Sequence, residues 1–278
     1  MVAQDSTSES FDMVRPGTLF EATVLEVRRI ARRPFEVLVC VAANGVLVTI
    51  LWFFAPLKLA NLVFSVHTAL FFPIVLASWM LADVPATNQL APDRVRVLAA
   101  LGDPEALRLL LRAKHVVLWL LVSPVTVVVI ALQGARVGDP VGLVLTVIWV
   151  LTVPFCALGV ACLVGVRWPY HPMRLKDRWS RRSDWRPMIL RWGILILIPY
   201  ALVPAIGVLD FVPSYVVWKL LGYSTATGEV SKAAFALGLG LTIPLAGAVW
   251  HFGTKASVSL AHRRSSELRE FLADPSRG

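Results

Sequence analysis

The stretch APDRVRVLAALGDPEALRLLLRAKH, Ala91 to His115, separates two long apolar segments. A connector between two membrane helices needs only a few residues. This one is far longer, rich in arginine, and carries the start and stop signals of two helices. Pro92 and Asp93 predict the opening of a short helix. Val95, Leu98 and Leu101 mark its apolar side, and Arg94 and Arg96 lie off it. Gly102 suits the position after the helix end, where a left-handed backbone is expected. Asp103 suits the N-cap of a second helix, Pro104 its first position and Glu105 its positive end. The second helix runs through Leu107, Leu110 and Leu111 into the next apolar segment. Arg108 and Arg112 sit one turn apart on its other side. A helix, a sharp turn and a helix held at a membrane face would form a knob suited to the groove of a soluble partner. The plainer alternative is a solvated connector.

The rest of the chain places this segment at a membrane. Of 278 residues, 57% are hydrophobic and only 16% charged, with a mean hydropathy of +0.69. Soluble domains carry about 25% charged residues. Runs of about 20 apolar residues cross the hydrocarbon core as helices. Six segments qualify, at about 35–55, 60–82, 115–134, 141–166, 188–210 and 233–253. The expected fold is therefore all-α, a polytopic membrane protein of six transmembrane helices within 34–255. Pro73, Pro124, Pro154, Pro199, Pro204 and Pro244 fall inside the spans and predict kinks that neighbouring helices accommodate.

Orientation follows from the basic residues. With both termini inside, 23 of the 27 lysines and arginines lie on the cytoplasmic side, leaving Lys58, Arg136, Lys219 and Lys232 outside. The pI near 10 then reflects membrane anchoring, and nucleic acid is not an expected partner. Residues 1–18 lack the basic and apolar regions of a signal peptide and read as a disordered cytoplasmic tail. Residues 256–278 form a second cytoplasmic tail. Cys40, Cys156 and Cys162 lie in apolar runs without metal spacing and read as small buried hydrophobes.

Residues 19–33, LFEATVLEVRRIARR, predict an amphipathic helix in the membrane interface. Phe20, Val24, Val27 and Ala31 are expected on its apolar side, and Arg28, Arg29 and Arg32 facing lipid phosphates. Pro34 then opens the first span. The basic loop 167–187, with Trp168, Tyr170, Trp179 and Trp185 between arginines, reads as an interfacial belt. Within 204–232, Pro213 predicts a short re-entrant or interfacial helix ending near Gly222. His67 is the one ionisable group read as lying well inside a span. It is expected to hydrogen-bond between helices, with lining of a path as the alternative. No GxxxxGK[ST], HExxH or GxSxG occurs, so neither a nucleotide site nor a hydrolytic site is expected, and no cofactor or metal.

Together these features resemble the membrane subunit of an ABC-2 type transporter, the permease half of many bacterial ABC exporters. The stretch LGDPEALRLLLRAKHVVLWLL, 101–121, carries the resemblance in letters, and the order of interface helix, spans and connections carries it in layout. The 4–5 loop is longer and more basic than the family's pattern. The resemblance implies a homo- or heterodimer with a second permease chain, over P-loop ATPase subunits that bind ATP-Mg. It implies coupling helices at about 92–114, with Asp93, Arg94, Arg96, Leu98, Gly102, Asp103, Pro104, Leu107 and Arg108 at the ATPase contact. It implies a multi-pass protein of the bacterial inner membrane, whose spans one, two and five line the path. Two other readings remain open from the residues: a membrane enzyme acting on lipid headgroups, and a non-catalytic assembly or scaffold protein.

Overall fold

The computed structural model describes residues 16–32, 35–54, 71–81, 84–138, 140–171, 185–221 and 231–274. In these segments every α or β element is a helix. In chain order they are α1 (Leu19–Ile30), α2 (Glu36–Phe54), α3 (Phe71–Leu81), α4 (Val84–Thr87), α5 (Arg94–Ala100), α6 (Pro104–Val137), α7 (Pro140–Arg167), α8 (Trp185–Leu221), α9 (Lys232–Arg263) and α10 (Ser265–Ala273). A 3₁₀ turn, Ala91–Asp93, precedes α5.

Among the described residues, five helices are long and apolar enough to cross a membrane: α2, α6, α7, α9 and the Ala201–Leu221 part of α8. The chain is a multi-pass helical membrane protein. The short apolar α3 is the described part of the expected second span, and His67 lies outside the described residues. So does most of the expected loop 167–187, together with the tail 1–15.

The spans pack where side chains are small. A Cβ added to Gly159 of α7 would lie 2.7 Å from the Trp250 carbonyl oxygen, and one added to Gly253 of α9 would meet the Gly159 backbone at 2.8 Å. Small residues let membrane helices approach backbone to backbone. Proline frees a carbonyl one turn earlier. Pro154 of α7 frees that of Val150, and the Ser123 hydroxyl of α6 donates to it at 3.2 Å. A turn further, the Trp119 indole donates to the Leu151 carbonyl at 2.9 Å.

The expected helix from Pro213 to Gly222 is not a separate element. Trp185–Leu221 is one helix of 37 residues. Its C-terminal part is held along α9, where the Ser214 hydroxyl donates to the Gly238 carbonyl at 2.7 Å and Trp218 stacks on Phe235 at 5.5 Å. These contacts reward continuing the helix over turning back.

At one end of the bundle, α5, the first turns of α6, the last turns of α7 and α9, and α10 share an apolar cluster. Val97, Leu101, Leu107, Leu111, Val166 and Leu268 are buried in it. The Arg264 guanidinium donates to the Val166 and Arg167 carbonyls, each at 2.9 Å, and so closes the end of α7.

The turn between α5 and α6 follows the expected cap and departs from the expected glycine. The Asp103 carboxylate accepts from the backbone N–H groups of Glu105 and Ala106 at 3.0 and 3.2 Å, with Pro104 at the first helical position. Gly102 does not take the left-handed conformation; Gly138 is the one glycine with positive φ among the described residues. The cap alone redirects the chain, and space around Gly102 is open. Asp103→Ala is therefore expected to cost about 0.5–2 kcal/mol, whereas Gly102→Ala stays within about 0.5 kcal/mol. Thermal unfolding of the two purified variants checks the difference.

Candidate functional site

The site begins with a glutamate inside an amphipathic helix. Thr18 caps α1 and Glu21 supports its first turn. One stripe of α1, Ala22, Glu26 and Ile30, is buried against the protein. The expected apolar face is thus rotated: Phe20 is 77% exposed and Val27 is also exposed, while Val24 is half-buried. Arg28 and Arg32 are exposed, and Arg29 turns back to Glu26.

Glu26 enters an ion cluster that joins three elements. The Arg96 guanidinium of α5 lies 2.5 Å from the Glu26 carboxylate and 2.7 Å from that of Asp93. Lys114, one residue before His115 in α6, lies 2.6 Å from Asp93 and 3.5 Å from Glu26. Arg29 closes the ring on Glu26 at 2.6 Å. Glu26, Asp93 and Lys114 are buried, and the Arg96 side chain keeps only 10% exposure. Burial pushes the Glu26 carboxyl up, but the cations Lys114, Arg29 and Arg96 outweigh it and hold the carboxyl well below the usual carboxylate range. Burial opposes the charge of Arg96 too, and the paired carboxylates of Asp93 and Glu26 raise it on balance. Beside the cluster lies a cavity of about 30 Å³, lined in part by Glu26, Arg29, Asn88, Gln89, Pro92 and Lys114.

Two further contacts fix the floor of this region. The Asn88 side chain donates to the Tyr170 carbonyl at 2.7 Å and accepts from its N–H at 3.4 Å. The Thr87 carbonyl lies so close to Gly165 that a Cβ there would overlap it. On the other side of α6, the Trp250 indole donates to His115 Nδ1 at 3.0 Å, and Arg112 lies 5.2 Å over the Trp250 ring.

The residues expected at a partner contact therefore divide. Asp93 and Arg96 face inward and are spent on the ion cluster, because their neighbours Glu26 and Lys114 supply the opposite charges. Leu107 is buried in the apolar cluster and Leu98 is half-buried. Arg94, Val95, Gly102, Pro104 and Glu105 remain exposed at the tip, and Arg108 pairs with Glu105 at 2.7 Å. Sequence reasoning missed Glu26 and Lys114. The signal was present: Glu26 sits four residues from Ala22 and from Ile30, on a stripe that is otherwise apolar.

The cluster ties α1 to the start of α6 through the 91–100 segment. The fold is that of a multi-pass helical membrane protein. Comparison of the chain with family models, with curated proteins and with solved structures finds no match.

Proposed function

We propose that the chain is the permease subunit of an ATP-driven exporter, working with separate P-loop ATPase subunits and a second permease chain. The observation that supports this reading is the single helix α6. It starts at the capped turn and continues for 34 residues to Val137, about 50 Å at 1.5 Å per residue. A push on the 94–108 tip is then carried along the helix without a break. The exposed Arg94, Gly102 and Pro104 would meet the ATPase, and the ion cluster would pass the motion to α1 at the lipid surface. In this reading the chain has six spans, with both termini cytoplasmic, in the inner membrane of a bacterium.

Purification of the intact chain in mild detergent from its native host tests the proposal. A co-purifying ATPase that crosslinks to a cysteine placed at Gly102 is the expected result. Eluate without ATPase, under conditions where the chain stays folded, would sink the reading. Topology is checked separately. A cysteine at Gly138 should label from outside, and one at Ser183 only after permeabilisation; the opposite pattern reverses the orientation.

A further inference from the structure

Asp210 lies in α8, within the Ala201–Leu221 segment that is apolar enough to cross a membrane. It is 2% exposed, and among the described residues neither carboxylate oxygen has a hydrogen-bond partner of good geometry, the Thr152 hydroxyl being the polar group that comes near. Its polar neighbours on α7 are Thr152 and Cys156. Both are engaged elsewhere: the Thr152 hydroxyl donates to the Ile148 carbonyl at 2.8 Å and the Cys156 thiol to that of Val153 at 3.2 Å. Val153, Ala157, Val203, Ile206 and Ala246 fill the rest of the seam between α7, α8 and α9. A turn before Asp210, the Trp149 ring closes on Gly207 so tightly that a Cβ there would lie 2.8 Å away.

Among the described residues, no countercharge reaches this carboxyl from the packed elements. Besides Cys156, the titratable groups of α7 are Cys162 and Arg167, in the turns nearest its C-terminal end. Along α9 from Lys232 to Trp250 the only one is Lys232, at its start, and α3 and α4 contain none. An ionised carboxylate placed here would lose its hydration with only the Thr152 hydroxyl to offset it. An acid inside a span normally marks an ion or proton path. Ca²⁺ would demand about six to eight oxygen ligands, and the described residues around Asp210 offer one carboxylate and one hydroxyl. A proton needs only the carboxylate itself.

We propose that Asp210 is an intramembrane proton-binding site, and that losing the proton parts α8 from α7. The neutral acid lets the seam close dry. On release, the O–H bond breaks, the proton leaves to water, and the carboxylate left behind draws water between the helices. This goes beyond the transporter reading and does not rest on it.

The test uses the full-length protein in liposomes, with Asp210→Asn and Asp210→Leu as controls. Asparagine keeps the shape of the neutral acid, and leucine suits an apolar seam, so the comparison survives if one of the two fails to fold. Infrared difference spectra of wild type against each variant are recorded across a pH series with and without NaCl. The expected result is the carbonyl band of a protonated carboxylic acid at pH 5, where an ordinary aspartate is already ionised, missing from both variants. Raising the pH should abolish the band and, in wild type alone, speed amide hydrogen exchange over 201–221 beyond the intrinsic pH effect. A carboxylate band for Asp210 at pH 5 overturns the proposal. So does conversion to carboxylate by Na⁺ at constant pH, which would make the ligand a metal cation. Loss of the band with unchanged exchange overturns the coupling to helix separation.

Discussion

Glu26→Ala is expected to destabilise the interfacial end of the protein by about 3–5 kcal/mol, the cost of removing one partner from a buried ion pair. Arg29 pairs with Glu26, which also shares Arg96 and Lys114 with Asp93. Without Glu26, three cations face one acid, and Lys114 is only 3% exposed. The loss should appear as a lower unfolding temperature and as faster proteolysis between α1 and α5. Replacing Glu26 with leucine and Lys114 with methionine together should recover much of the stability, because the Arg96–Asp93 pair remains and two buried charges disappear. Failure of the double change to improve on Glu26→Ala would show that the charges are needed for more than neutralising each other.

Acid provides the same test without mutation. The Glu26 carboxyl is held below its ordinary value of 4.5 in the folded protein. Its contribution is complete above that ordinary value and is lost as pH falls through the lowered one. Wild type should therefore lose stability progressively as pH falls below that ordinary value and down through the lowered one, and Glu26→Gln should show a flatter acid limb from a lower starting point.

Gly165→Ala is the second change with a large expected effect. The added methyl would coincide with the Thr87 carbonyl, so either α7 or the 84–90 segment must move. Overpacking of this kind costs about 1–3 kcal/mol, more where backbone is the obstacle. The shift would also strain the Asn88–Tyr170 clamp next to it. Gly240→Ala and Gly247→Ala, where nothing lies within 4 Å, serve as controls and should be nearly neutral. Equal losses in all three would mean that helix flexibility, and not close approach, explains the Gly165 result.

The difference between Gly165 and Gly240 is invisible in the letters, since both stand in apolar helical runs. The same holds for charge. Arg94 and Arg96 look alike in sequence, two residues apart on a short helix. In the fold Arg94 is exposed and Arg96, its side chain 10% exposed, lies between two acids. Asp103 was legible because a cap is a local device: the N–H groups of Glu105 and Ala106 that donate to it are neighbours in the chain. Gly102 was misread because open space and an ordinary backbone leave its glycine without a conformational duty. The helix from Trp185 to Leu221 was divided too early, at Pro213, because the Ser214 and Trp218 contacts that carry it on belong to α9.

The sequence by itself determined the helical class, the membrane solvent, most of the span positions and the capped turn at Asp103. These depend on composition, on runs of apolar residues and on interactions within a few positions. Tertiary structure alone decided which face of the interface helix is buried, which arginines are spent internally, and which acid is stranded in a span. Glu26 and Lys114 are 88 positions apart in the chain, and Asp210 is isolated only by what α7 and α9 fail to offer it. The energy of a buried charge depends on every group within a few ångströms, and only folding brings those groups together.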